Sequence, residues 1–381
     1  MFDSGYLARG LALIASLRRV GADDGVVLLA LDDACAVYLR ELEVAGVSVM
    51  TVDELVGQEP ALARARTSRN PVEFIFTCTA SLVNAVLRGA GDDEWVVYLD
   101  SDMSFFRSPS SIFADAAHSS VGIIPHRYPR KLRRLRKYGT YNVGWVMFRN
   151  DAAGRHCCTW WRDATIAWCH DYPEDGKYAD QGYLDRFSEV CDRVVVLDDP
   201  GLNVAPWNLA GHTLTVEAGS VLVDGAAPLI FYHYQGLRRD GATWYPNLRP
   251  YRARLSRVVR EAIYEPYIRE IQAIEVGVHS INNGCPLALR STRPGARDDY
   301  GWRARARRAR RVTVNALDRA TGQVIGSAAV ISDGVGDREA ASSQPDSDER
   351  SQARARGRWS GRGGRRRPFD GERLVYSGRG A

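Results

Sequence analysis

Trp95-Val96-Val97-Tyr98-Leu99-Asp100-Ser101-Asp102-Met103 is the stretch on which the reading of this chain turns. Five apolar residues run directly into two carboxylates separated by one serine. A short apolar run of this kind predicts a buried strand. Residues i and i+2 of a strand share a face, so both carboxylates are expected to turn toward one point. Two close anions repel unless a cation lies between them. Open α/β sheets bind ligands just beyond the carboxyl ends of their strands. The expectation is a divalent metal at this strand end, held by Asp100 and Asp102.

On either side of this stretch, the pattern alternates between helical and strand periods. Helices are predicted over Tyr6–Val20, from the strand Val26–Leu31 through Leu42, and over Pro71–Leu87, Ala152–His170, Asp180–Val190 and Arg252–Ile274. Short apolar strands are predicted at Val26–Leu31, Val47–Val52, Trp95–Leu99, Val121–Ile124, Val143–Phe148, Val194–Leu197, Leu214–Val216, Val221–Val223 and Leu229–Tyr232. Such alternation implies an α/β fold, a sheet with helices on both faces.

The chain has 381 residues, 45% of them apolar, and a net charge of +5, so a sizeable core is possible. The basic excess is concentrated at Arg127–Lys137 and beyond residue 300. Seven scattered cysteines without a CxxC pair read as reduced thiols of a cytoplasmic protein. Cys157, Cys158 and Cys169 sit among tryptophans and read as core rather than as zinc ligands. No apolar run approaches the roughly 18 residues of a membrane span, and no signal peptide is expected.

The composition changes after about residue 290. This sets apart a domain over 1–275 from a low-complexity, Arg-, Gly- and Ala-rich tail over 276–381, expected to be mostly disordered. The Arg runs Arg303–Arg311 and Gly361–Pro368 fit a solvated tail better than an RGG-like nucleic-acid contact. Val312–Ala329 reads as a short hairpin. An altered reading frame is a further origin for such a tail.

A third metal ligand is expected at His233, in Ile230-Phe-Tyr-His-Tyr-Gln-Gly236, at the end of an apolar strand. Two carboxylates and an imidazole suit Mn²⁺ better than Mg²⁺. Two other stretches accompany it: Tyr141-Asn-Val-Gly-Trp145, a polar entry to a strand, and Asp180-Gln-Gly-Tyr-Leu-Asp-Arg-Phe187. Taken with the opening Phe2-Asp3-Ser-Gly-Tyr-Leu-Ala-Arg-Gly-Leu11, these motifs resemble, in kind and order, the GT-A glycosyltransferases. The resemblance is greatest to family 8, the glycogenin and lipopolysaccharide galactosyltransferase type, and covers roughly residues 2–270.

The resemblance implies a mixed, mostly parallel GT-A-like sheet flanked by helices. It implies that Asp100, Asp102 and His233 bind Mn²⁺ (or Mg²⁺) against the diphosphate of a nucleotide sugar, in the family a UDP-sugar. Asp3 would approach the base and ribose, Asn142 the donor sugar or acceptor, and Asp180 the sugar hydroxyls. Gln181 would lie beneath the anomeric carbon. An amide is a poor nucleophile, so the implied route is a short-lived ion pair with retention. The structural alternatives are a helix N-cap for Asp180, a turn residue for Asn142 and a helix-start acid for Asp3.

The chain departs from the family in three places. The helix before the paired acids, Thr77–Leu82, lacks the family's basic residue, for which Arg69 or the 127–137 cluster is a substitute. The family's late Lys is absent, with Arg238 or Arg239 in its place. Met1 falls where the family's first strand should be ending, so a first strand is missing, and about six to ten further upstream residues are expected to supply it. On a helix beginning after Pro129, Arg130, Arg133, Arg134 and Lys137 would share a face for donor phosphates, an anionic acceptor or a lipid headgroup.

The function implied is transfer of a sugar from a nucleotide-diphosphate donor to a glycan, lipid or other acceptor. Contact with the inner face of the membrane would run through the basic segments, and no specific nucleic acid is expected. Two alternatives stay open: a nucleotidyltransferase of related fold, and a non-catalytic remnant that binds sugar nucleotides or polyanions.

Overall fold

The computed structural model describes residues 1–22, 25–281, 314–326 and 372–377. Seven short strands carry the architecture. They are Val26–Ala30 (β1), Val47–Thr51 (β2), Trp95–Asp100 (β3), Met103–Phe105 (β4), Val121–Pro125 (β5), Tyr141–Arg149 (β6) and Val194–Val196 (β7). Six of them join a mixed sheet of order β2, β1, Glu372–Ser377, β3, β6, β5, β7. β2, β1, Glu372–Ser377 and β3 are parallel, and so are β5 and β7; β6 runs antiparallel between β3 and β5.

β3 is buried along its whole length because both sheet faces are covered. Trp95, Val97 and Leu99 pack with Leu13, Ile14 and Leu17 of the helix Leu7–Arg19 (α1) and with Leu39 of the helix Asp33–Glu41 (α2). Val96 and Tyr98 face the opposite layer, with Leu82, Val83 and Val86 of the helix Pro71–Arg88 and Trp161 of the helix Ala152–Ala167. The period of two sends alternate residues to two separate cores. The helix Pro71–Arg88 starts where Asn70 and Glu73 form a reciprocal capping box, with Pro71 in the first turn.

A third apolar cluster packs the helix Glu265–Ile281 against the strand Phe231–His233. Tyr234 stacks on Tyr267 at 3.7 Å between ring centroids, and the hydroxyls of Tyr232 and Tyr264 lie 3.0 Å apart. This clamp fixes the strand that ends in His233.

Sheet position and chain ends differ from expectation. No strand precedes Phe2 among the described residues, but the place beside β1 is not empty. The strand Glu372–Ser377 lies there, paired with β3 from Glu372↔Trp95 to Ser377↔Asp100 and with β1 from Val26↔Leu374 to Leu28↔Tyr376. Phe2 bridges Ala30 in the same parallel sense. By register, Phe2 therefore takes the sheet position that follows Ser377.

Other boundaries shift. Residues 314–320 are helical and Ile325–Gly326 is a two-residue strand, in place of the hairpin expected over Val312–Ala329. The expected helix over Asp180–Val190 is a 3₁₀ turn, Gly182–Arg186, followed by one α turn. Ala152–Ala167 ends three residues earlier than expected. The Arg runs at 303–311 and 361–368, and Cys285, lie outside the described residues. The six described cysteines are buried. No described helix is long and apolar enough to cross a membrane.

Candidate metal centre

β3 ends at Asp100, and the chain turns through Ser101 and Asp102 before β4. The paired acids are thus not two residues of one strand, as the spacing suggested. The tight turn nevertheless brings them together, because β4 pairs antiparallel with Phe231–His233 in the register Met103↔His233. The amide of Tyr234 donates to the carbonyl of Asp102 at 2.7 Å, which locks the turn against that strand.

Asp100, Asp102 and His233 are all fully buried, and one potential ligand atom from each lies within 4.8 Å of the others. His233 Nε2 is 3.0 Å from Asp102 Oδ1 and 3.7 Å from Asp100 Oδ2. Tyr98 donates its hydroxyl to Asp100 Oδ1 at 3.1 Å. Apart from the contact with the His233 ring, neither carboxylate oxygen of Asp102 accepts a hydrogen bond from the described residues. Buried carboxylates are normally satisfied or paired, and this donor set of two carboxylates and one imidazole fits a divalent cation.

The next part of the site is built on β6. Its register against β5 skips between Ile123 and Ile124, from Val146 to Asn142, so the strand bulges beside the cluster. Asn142 lies within the strand, not in a turn. Its Nδ2 donates to Gln181 Oε1 at 3.1 Å, and the amide of Val143 donates to the same oxygen at 3.3 Å. Gln181 Nε2 donates to the carbonyl of Tyr138 at 2.7 Å. Gly144 joins this network to the metal ligands: a Cβ there would lie 2.6 Å from Asn142 Oδ1 and 2.9 Å from both Cε1 and Nδ1 of His233. Only glycine allows the amide and the imidazole to approach so closely.

One contributor, His126, was missed in the sequence. His126 lies 3.4 Å from Asn142 through Nε2 and 3.2 Å from the carbonyl of Thr140 through Nδ1. Trp207 presents its ring edge-on to both His126 and His233, at centroid distances of 5.2 and 5.0 Å. Trp207 thus stands at the wall of the site, whereas Trp244 is buried beneath Arg239. His126 carries no motif, since only the fold brings it beside Asn142.

The remaining candidates fall out as follows. Asp180 is buried, and its carbonyl accepts from Trp161 Nε1 at 2.8 Å; no side chain caps the 3₁₀ turn that follows. Asp3 caps the turn before α1, accepting from the Tyr6 amide at 3.1 Å. Burial, then the nearby Asp32, raises its pKa above the ordinary 3.8. The segment Arg130–Tyr138 is a 3₁₀ helix, so residues three apart align. Leu132, Leu135 and Tyr138 form the inner row, and all six cations, Arg130 to Lys137, are exposed on the other two rows.

Four of the cations proposed as substitutes are engaged elsewhere. Arg69 donates to Thr77 and to the carbonyls of Thr165 and Ile166. Arg127 donates to the carbonyls of Asp199 and Leu202. Arg238 reaches Asn315 and Arg239 reaches Glu275. Arg9, on α1, was not considered: its Nη2 donates to the carbonyl of Leu237 at 2.7 Å.

No protein-family model matches the chain. A curated relative, "Uncharacterized protein YfnF" of Bacillus subtilis (strain 168), is 31% identical over 245 residues, 62% of this chain and 80% of the relative. The chain belongs to the same family as YfnF. A second relative from that organism, "Uncharacterized protein YfnD", is 27% identical over 275 residues, 70% of this chain and 86% of YfnD. Among solved structures, the galactosyltransferase LgtC in complex with donor and acceptor sugar analogs is similar at a TM-score of 0.42 and 16% identity. That similarity covers 71% of this chain and 94% of LgtC. The Q189E active-site mutant of LgtC is similar at 0.41 and 17%, over 62% of this chain and 86% of the mutant.

Proposed function

We propose that this YfnF relative is a metal-dependent glycosyltransferase that moves a sugar from a nucleotide-diphosphate donor, a UDP-sugar, to a glycan or lipid-linked acceptor. One observation carries the reading. Gly144 holds a buried Asp-Asp-His cluster in contact with the Asn142–Gln181 amide network. The first is a cation site and the second is a set of polar groups suited to sugar hydroxyls.

Asp100, Asp102 and His233 would hold the metal, Mn²⁺ in preference to Mg²⁺ because one ligand is an imidazole. When bound, the cation supplies Lewis-acid charge that stabilises a departing diphosphate. Asn142 and Asp180 orient the sugar from the β6 side, and Asp3 approaches the nucleoside from the loop before α1. Gln181 Oε1 already accepts from Asn142 and Val143. With its oxygen so engaged, Gln181 acts through its position and dipole rather than as a nucleophile, in keeping with a same-face transfer that retains the anomeric configuration. Trp207 and the buried cluster walls keep water from the reacting carbon.

The test is UDP release from a panel of nucleotide sugars with Mn²⁺, with and without candidate acceptors, and product analysis by NMR to read the anomer. Turnover with one donor, lost on chelation, is the expected result. A protein that neither turns over nor binds any nucleotide diphosphate in the presence of Mn²⁺ would overturn the reading.

A further inference from the structure

We propose that Arg9 is the cation that binds the donor diphosphate, a role that rests on the transferase reading above. Arg9 stands in the first turn of α1, which begins just after the loop Asp3–Tyr6. Its guanidinium lies over the Tyr6 ring, 4.6 Å from the centroid, and its Nη2 donates to the carbonyl of Leu237, four residues beyond His233. The side chain therefore spans the opening loop and the loop that leaves the metal cluster.

One end of this guanidinium has no partner. Nη1 is sealed from solvent and makes no hydrogen bond with any described residue. A buried N–H of a charged group left unpaired is costly, and the fork of an arginine matches a pair of phosphate oxygens. Asp102 and Glu275 are among the charges that favour the protonated guanidinium against its burial, with Tyr6 and Tyr267 ranking above them.

Charge counting gives a second, independent reason. Asp100 and Asp102 together cancel a divalent ion, and neutral His233 adds nothing. The metal's open positions can coordinate diphosphate oxygens, but the centre as a whole carries no positive charge to set against the rest of the diphosphate charge. A neighbouring fixed cation supplies that charge: Arg69, Arg127, Arg238 and Arg239 are held by other groups, and the cations from Arg130 to Lys137 are exposed.

The experiment is calorimetric titration of the full chain with MnCl₂ alone, then with UDP and with uridine in the presence of Mn²⁺, for the wild type, Arg9→Gln and Arg9→Lys. Losing a charged hydrogen bond predicts that Arg9→Gln binds UDP about ten- to hundredfold more weakly. Affinity for Mn²⁺ and for uridine should change by less than about threefold, because neither carries a diphosphate. A structural role alone would lower the melting temperature and weaken UDP and uridine alike. Arg9→Lys keeps the charge without the fork, so its ratio of UDP to uridine affinity should fall between those of wild type and Arg9→Gln. An unchanged ratio in a folded variant overturns the proposal while leaving the transferase reading in place. Absence of Mn²⁺-dependent UDP binding by the wild type overturns both. If Arg9→Gln does not fold, the Arg9→Lys ratio decides the matter alone.

Discussion

Replacing Asp102 with Asn should stabilise the metal-free protein while abolishing its response to metal. The ligand atoms of Asp100 and Asp102 lie within 4.8 Å of each other in a site closed to solvent. At an effective dielectric of about 20, two unit charges at that separation repel by about 3 kcal/mol. The Tyr98 hydroxyl donates to Asp100 Oδ1. Asn has nearly the shape of Asp, removes one charge and brings amide donors that can reach Asp100. For a domain of this size, each kcal/mol moves the melting temperature by roughly 2–4 °C. The metal-free variant should therefore melt about 6–12 °C above metal-free wild type.

Metal should reverse the order of benefit. At a hundredfold excess over its dissociation constant, a ligand that binds only the folded state adds about 2.7 kcal/mol. Wild type should gain with Mn²⁺ about what the variant gains without it, and the variant should gain almost nothing more. Thermal melts followed by circular dichroism, in EDTA and in saturating MnCl₂, measure all four states. A variant that melts below wild type in EDTA, or that responds equally to Mn²⁺, would refute the account of these carboxylates as a repelling pair awaiting a cation.

Gly144→Ala places a methyl 2.6 Å from Asn142 Oδ1 and 2.9 Å from the His233 ring; Mn²⁺ affinity by calorimetry should fall at least about tenfold, and unchanged affinity would show that the imidazole is not a ligand. Ending the chain at residue 371 removes a strand paired with six residues of β3 and three of β1. At about 1 kcal/mol per hydrogen bond, that loss rivals the whole stability of a typical domain. The shortened chain should lose its cooperative melt, and a melt like that of the full chain would show that the strand is dispensable. Asp3 carries a raised pKa, so its folded state holds the proton more tightly than the unfolded state does. Its charge therefore costs stability as pH rises from the ordinary 3.8 through the folded value. Asp3→Asn, which can still cap the turn, should raise the urea midpoint at neutral pH and not in strong acid; an equal shift at both would refute this assignment.

Legibility in the sequence followed the range of the interactions involved. β3 and the helix Pro71–Arg88 were readable because apolar run, capping box and proline are all local signals. Asp100, Asp102 and His233 were readable as residue types, though the geometry was not: the sequence suggested one strand face, and the chain instead uses a turn pinned by the Tyr234 amide. The basic segment was read as an α-helix with a cationic stripe. Its 3₁₀ period instead aligns two leucines and a tyrosine inward, and exposes cations on both remaining rows.

What escaped was long-range in every case. Nothing in Glu372–Ser377 announces a central strand, because its partners among the described residues, β1 and β3, lie more than 270 residues away in the chain. Arg9 escaped for a related reason. On a helical repeat, a charged residue between apolar ones reads as a solvated position, and burial is a property of what packs over it. Here that cover is Tyr6 and the Leu237 loop, the latter 228 residues distant. A sequence can state which side chains are able to bind a diphosphate. Which of them is held dry, with one N–H unspent, is decided only when two distant loops close over the same guanidinium. For this site, the informative cation is therefore the one that looks most ordinary in the sequence, while the conspicuous cations from Arg130 to Lys137 lie exposed.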